Sequence, residues 1–322
     1  MRNSHNRDNN QLSILSALYC DSDLVSPLIK PIEKAFVNEP CLGTGVNIID
    51  CKHFDLNRYI EEAHGLDFNN KNINGPTVYI NQDIPIIPPD CFNMDPSDID
   101  SEIVGVRLYD ILTKKPRLKK GFYQLDDKVK INKLALSHPV LHGKKIILFC
   151  TGIDTAIEKI WWLRNDIKLF DEIVNLGFYA VVGMNFSLFL GECPLAQLLN
   201  LNKSLLFCQE LSFRGVNVIP HIYAVNDEQR FKWVQYLNNN TSIKTVAVNT
   251  QLQKDYRSKL ETELTIATLL NNTEVTIITN GYKLGGTNVS HNDRLYNANQ
   301  SKLKRRMILQ NNRSKINLSF TS

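Results

Sequence analysis

Between about residues 144 and 282 the chain repeats one pattern five times. A short run of β-branched and apolar residues comes first, then a polar cluster, then a long amphipathic stretch. Such alternation implies strand–helix units and a parallel sheet. Parallel α/β folds place their chemistry at the carboxyl ends of the strands. The pattern therefore locates a site before it says what the site does.

The first strand is predicted at 145–150 (KIILFC), with Thr151 and Gly152 at its carboxyl end. Residues 154–176 read as one helix, apolar at Ile157, Ile160, Trp161, Phe170 and Ile173, with Gly177 as its stop. A strand at 179–184 leads to a helix at about 194–213, where Pro194 suits the first turn. Strands at 216–223, 245–248 and 275–279 are separated by helices at 227–237 and 255–270.

Upstream, 77–80 (TVYI) and 104–108 are further strand candidates. The stretch between them, 84–100, carries Pro85, Pro88, Pro89 and Pro96 and is expected to be a pinned surface loop. The fold class is α/β with a parallel sheet. A TIM-barrel-like arrangement is favoured, because every connection is a single helix of similar length and the upstream strands then complete the ring. An open doubly wound sheet is the alternative. The expected organisation is an N-terminal extension over 1–75, an α/β barrel-like domain over 76–282 and a basic C-terminal segment over 283–322.

The chain has 322 residues, 43% hydrophobic and 22% charged, with a net charge of +4. This is ordinary for a globular protein, so the distribution of charge says more than the total. No acidic residue follows Asp293, whereas Arg294, Lys302, Lys304, Arg305, Arg306, Arg313 and Lys315 are all basic. Lys302, Lys304, Arg305 and Arg306 form the candidate contact to nucleic-acid phosphates or another acidic surface. The competing reading is a solvated tail or a terminal helix with a basic face. No apolar run is long enough to span a bilayer, and the polar start lacks the core of a signal peptide. A cytoplasmic protein is expected. The seven cysteines are scattered and never in a C-x-x-C pair. Cys150, Cys193 and Cys208 read as small buried hydrophobes.

If the sheet is parallel, five strand ends converge. They present Thr151 and Asp154, Asn185 and Ser187, His221 and Tyr223, Asn249 and Thr250, and Asn280 and Tyr282. This mostly neutral rim suits hydrogen bonding to a ligand better than a hard metal, which wants several carboxylates. Turns also favour Asn, Thr and Ser, so the set argues for a site more than any single member does. His221 follows Val218-Ile219-Pro220 on a strand expected to be buried. It is a candidate general base or ligand group. The plainer reading is a neutral histidine satisfied by the backbone. Asp154 is a candidate acid, base or nucleophile at the mouth; capping of the helix that it begins is the simpler role. Asn185, Ser187, Tyr223, Asn249 and Asn280 are the candidate ligand-binding residues. A phosphate loop, a dinucleotide fingerprint, a nucleophile elbow and zinc-ligand spacing are all missing. Nothing here specifies a cofactor.

Asn185-Phe186-Ser187-Leu188-Phe189, then Cys193-Pro194 and Gln197, then Glu210-Leu211, Gly215 and Val218-Ile219-Pro220-His221 follow a recognisable order. With Gly152, Asp154, Glu158, Trp161, Phe231, Trp233 and Leu237, this order resembles an uncharacterised bacterial and phage mobile-element family, domain of unknown function 4417-like. The resemblance covers about 145–282. It implies an α/β strand–helix fold and a home on a mobile element, with no activity, cofactor or substrate. Relatives of that kind carry Asp where this chain has Asn185.

Overall fold

The structure is a computed structural model that describes residues 69, 71–75, 78–92, 94–113, 130–152, 157, 160–161, 163–186, 188, 194–250, 256–281 and 292–299. Among these residues eight strands alternate with helices or short turns. The strands are β1 (Ile84–Pro85), β2 (Ile103–Arg107), β3 (Lys145–Phe149), β4 (Ala180–Val182), β5 (Val218–Ile219), β6 (Thr245–Asn249), β7 (Thr276–Asn280) and β8 (Leu295–Asn299). The helices are α1 (Leu169–Leu176), α2 (Pro194–Phe213), α3 (Asp227–Asn239) and α4 (Tyr256–Asn272).

All strand pairs are parallel, in two four-stranded sheets with orders β1-β8-β7-β6 and β2-β3-β4-β5. The sheets meet at both edges through single parallel bridges, Ile86 with Gly105 and His221 with Ala247. Hydrogen bonds cross each seam, from Ile87 N–H to Gly105 O at 2.8 Å and from Ile222 N–H to Ala247 O at 2.8 Å. Followed through both seams, the register starting at Arg107 returns to the level of Ile99, a shift of 107 − 99 = 8 residues. That stagger is the one found in eight-stranded α/β barrels.

Side-chain alternation agrees with this barrel-like geometry. One buried cluster takes Ile84 and Ile86, Ile103, Ile147 and Phe149, Ala180 and Val182, Ile219, Ala247, Ile278 and Ala298, so every strand contributes its inward residues. The opposite faces join a second, larger cluster between strands and helices, for example Val104, Leu148, Val181, Val246 and Ile277 against Leu205, Trp233 and Ile266. Strands buried on both faces read as continuous apolar runs, which is why β2, β3, β6 and β7 stand out in the sequence. Gly105 is required by the inner packing: a Cβ there would lie 2.6 Å from Phe149 Cε2.

Four expectations differ from what is observed. The proline-rich stretch after residue 83 is not a surface loop throughout. It supplies β1, and Ile84, Ile86 and Ile87 are buried. Pro85 is tolerated because the ladder uses Ile86 N–H, which donates to Asn299 O at 3.0 Å. Of the predicted strand at 77–80, the described residues 78–80 are irregular, yet Val78 and Ile80 are buried in the inner cluster. Thr245 Oγ1 donates to Val78 O at 2.7 Å and pins that segment. The single helix expected over 154–176 is interrupted. Ile157, Ile160, Trp161 and Leu163 are helical, a turn covers 164–168 with Lys168 at φ 49°, and α1 begins at Leu169. The third strand shrinks to Val218–Ile219 because Pro220 has no N–H to continue the ladder.

Leu295–Asn299 belongs to the stretch expected as a basic C-terminal segment, and it forms β8 between β7 and β1. Arg294, first of that basic run, donates from Nη1 to Thr273 O at 2.6 Å and from Nη2 to Leu270 O. It thereby satisfies carbonyls at the carboxyl end of α4. At the other terminus, described residues of the 1–75 extension reach the barrel. Tyr236 OH donates to Lys71 O, and Ser242 Oγ donates to Ile73 O at 2.8 Å.

Candidate functional site

The inward positions of the strands carry apolar residues through the middle and polar ones at the carboxyl end. Continuing the inward alternation beyond Ile103, Phe149, Ile219, Ala247 and Ile278 brings Arg107, Thr151, His221, Asn249 and Asn280 to the mouth. Thr151, His221, Asn249 and Asn280 are all buried. Asn280 Nδ2 donates to Thr151 Oγ1 at 2.8 Å, linking β7 to the end of β3 on the opposite side of the ring. Thr250 donates its backbone N–H at 2.8 Å and its Oγ1 at 3.2 Å to Asn280 O, fixing the β6 and β7 ends together.

His221 is 3% exposed, and its Nε2 has no hydrogen-bond partner among the described residues. Burial pulls its pKa down to about 3 from an ordinary 6.5, so the imidazole is neutral at physiological pH. Its ring stacks on Tyr223, with centroids 5.7 Å apart and planes at 24°. Tyr223 is half-buried and its backbone O accepts from Trp233 Nε1 at 2.7 Å, so α3 fixes this end of the segment. The backbone N–H of His221 is directed at Cys208 Sγ from α2. Gly183 makes room for that sulfur, since a Cβ there would lie 2.7 Å from it. Burial pushes the Cys208 thiol up to about 12 and raises the Cys150 thiol strongly. Both are packing groups, as the sequence suggested; Cys193 lies outside the described residues.

Asn185 has a different job. Its Oδ1 accepts Gly152 N–H at 2.9 Å, and its Nδ2 donates to Gly152 O at 3.3 Å. One amide side chain thus satisfies both backbone groups of one residue across the β3 and β4 ends. A carboxylate matches only half of that pair.

Next to it an aromatic pair sits between two cations. Trp161 meets Phe186 edge to face at 5.5 Å. Arg164 Cζ lies 3.9 Å from the Trp161 ring centre, and Lys203 Nζ lies 4.2 Å from that of Phe186. Lys203 is 4% exposed, an unusual burial for lysine.

The structure therefore places His221, Asn249 and Asn280 at inward positions near the strand ends, with Asn249 in register with Asn280 and His221 in register with Ala247, stacks Tyr223 on His221, and assigns Asn185 to the backbone at the rim. Asp154, Ser187, Tyr282, Lys302, Lys304, Arg305 and Arg306 lie outside the described residues. Sequence reasoning passed over Arg107, which reads as the polar end of an apolar strand, and Lys203, which reads as an exposed helical lysine. Arg107 Nε donates to Asp110 Oδ2 at 2.7 Å, and the Asp110 side chain is 5% exposed. Among the described residues no group of three or more His, Cys, Asp or Glu could hold a metal ion, and no helix is long and apolar enough to cross a membrane.

No family model, curated protein or solved structure matches the chain.

Proposed function

We propose that the protein is a barrel-like enzyme or ligand-binding protein that takes a nucleotide or nucleic acid at the carboxyl ends of its strands. The observation that carries this reading is His221. A buried imidazole nitrogen without a partner among the described residues is costly, and this one lies at the top of the apolar inner cluster, in register with Ala247 and next to strand ends that carry Asn249 and Asn280. A planar heterocycle with donors and acceptors on its edge supplies what that nitrogen lacks. The neutral His221 acts in this scheme as a hydrogen-bonding group, with Asn249 two residues beyond its register partner Ala247 and the Tyr223 ring as a stacking surface. Asp154 is the candidate acid or base for a reaction on the bound molecule. A cytoplasmic setting and a mobile-element origin belong to the same proposal. The fold alone carries no function.

The test is to purify the full chain under mild conditions, identify small molecules released on denaturation, and titrate those compounds back. The reading expects a nucleotide or related heterocycle that survives a high-salt wash and binds His221→Ala more weakly. A protein that releases only salt-washable nucleic acid, and binds it equally well as His221→Ala, removes the strand-end site.

That second outcome would favour the alternative, a non-catalytic nucleic-acid- or protein-binding module working through Lys302, Lys304, Arg305 and Arg306. Its support is the absence of any acidic residue after Asp293.

A further inference from the structure

We infer that the segment whose described residues are 71–75 and 78–80 is a strap that locks the β5–β6 seam from its amino end, and so holds shut the joint that carries His221 at its other end. The inference needs no ligand and goes beyond the proposed function.

This seam has few bonds of its own. β5 is two residues long. Its contact with β6 is the single bridge of His221 with Ala247, served by Ile222 N–H to Ala247 O at 2.8 Å and Ala247 N–H to Pro220 O at 2.9 Å. The next donor toward the amino end would be Pro220, which has no N–H. The two half-shells therefore part company just below His221 unless something else joins them.

The strap lies at that place. Ile73 is buried in the cluster between strands and helices, whereas Val78 and Ile80 are buried in the cluster inside the barrel. Over this stretch the chain passes from the outer layer to the inner one. Carbonyls buried in irregular chain need donors, and three side-chain hydroxyls supply them. Tyr236 OH donates to Lys71 O, Ser242 Oγ to Ile73 O at 2.8 Å and Thr245 Oγ1 to Val78 O at 2.7 Å. All three donors come from the stretch 236–245 that leads out of α3 into β6. On the β5 side the strap is held by close fit. A Cβ at Gly75 would lie 3.1 Å from Ser212 Oγ in the last turn of α2, and 3.1 Å from Val216 O just before β5. The strap is thus bonded to the β6 half and seated on the β5 half, at the end where the ladder stops.

The experiment is amide hydrogen exchange of the full chain, read by mass spectrometry. Peptides over 216–224 and 246–250 report the His221 seam. Peptides over 84–88 and 103–107 report the opposite seam, where Ile87 N–H donates to Gly105 O. Thr245→Val and Tyr236→Phe each keep the shape and remove one hydroxyl. Each should speed exchange at the His221 seam by roughly twofold to tenfold, the effect of one net hydrogen bond on a local opening. The opposite seam should be unaltered. Gly75→Ala, which presses the strap off Ser212 and Val216, should act in the same direction. Asn238→Ala, which removes a bond from α3 to Asn272 O away from the strap, should leave both seams as they were. Exchange at the His221 seam indifferent to Thr245→Val and Tyr236→Phe, or raised equally at both seams, would overturn the lock. Should either buried variant fail to fold, Ser242→Ala, which removes the donor to Ile73 O, decides between the same two results.

Discussion

Asn280 and Thr151, 129 residues apart in the chain, are joined by a 2.8 Å hydrogen bond from amide to hydroxyl across the mouth of the barrel. Both are buried, and they close the apolar plug from above. A bond of this kind is worth most when its loss strands a buried partner. Thr151→Val, which keeps the shape and removes the hydroxyl, should destabilise the fold by about 1–3 kcal/mol. Thr151→Ser should cost much less. Urea unfolding of the two variants decides this, and equal midpoints would show that the hydroxyl is idle.

The interior leaves no room at Gly105. Gly105→Ala drives a methyl toward Phe149 Cε2, a separation of 2.6 Å before relaxation. Overpacking of this sort costs roughly 1–3 kcal/mol. Phe149→Leu alone should also destabilise, by opening a void. Combined, the two changes should cost less than their sum, because the smaller side chain relieves the clash. Additive losses would mean that Gly105 matters for its backbone and not for the ring beside it.

His221 gives the fold an acid sensitivity whose direction is fixed by the sign of its shift. Folded, it resists protonation down to about pH 3; unfolded, it takes a proton near its ordinary 6.5. Below pH 6.5 the unfolded chain binds a proton that the folded chain refuses, so stability falls until the folded pKa is passed. Above pH 6.5 the residue contributes no slope. Between pH 7 and pH 4.5 the loss from this one group should be roughly 1–3 kcal/mol. His221→Gln should flatten that part of the stability profile. An unchanged slope would place the imidazole in a wetter environment than its 3% exposure implies.

Cys91, Cys150 and Cys208 are buried, and burial disfavours the thiolate of the latter two. Thiolate is the reactive form. Alkylation of the native chain followed by peptide mapping should leave all three unmodified, and they should react once the chain is unfolded in denaturant. Early labelling of Cys208 would mean that α2 opens readily over the Gly183 gap.

Asn185→Asp tests whether the rim position is chemical or structural. The aspartate retains an acceptor for Gly152 N–H but sets a second oxygen against Gly152 O. A structural role predicts a loss of about 1–3 kcal/mol at neutral pH, lessened in acid as the carboxyl protonates and can donate again. Thermal unfolding at pH 7 and pH 4, referred to the native chain at each pH, measures this. A variant as stable as the parent at pH 7 would return the position to the list of functional candidates.

The regular strands were legible because burial on both faces writes them as apolar runs. KIILFC at β3 and the runs at β6 and β7 needed no other signal. β1 was hidden because Pro85 argues against a strand, although a strand that uses only its neighbour's N–H accommodates it. β8 was hidden because LYNAN lacks β-branched residues and adjoins a basic stretch. The break before α1 was hidden because Leu163, Ile167 and Phe170 keep a helical spacing across it even though the backbone turns at Lys168. At the site, a parallel sheet forces strand ends together, so His221, Asn249 and Asn280 could be grouped from sequence. Which side chain faces inward depends on register. That is why Asn185 reads like the others and yet serves the Gly152 backbone, while Arg107 looks like a mere boundary and yet sits at the lip.

The two sheets make the barrel a pair of half-shells, each seam held by a narrow bridge. Asn249 and Asn280 belong to one half, while Arg107, Thr151 and His221 belong to the other. A molecule that bonds to both sets spans the joint and acts as a clasp. On the proposed function, binding at the mouth is therefore also a mechanical matter for the whole shell: a bound ligand should make the seam beside His221 harder to prise apart.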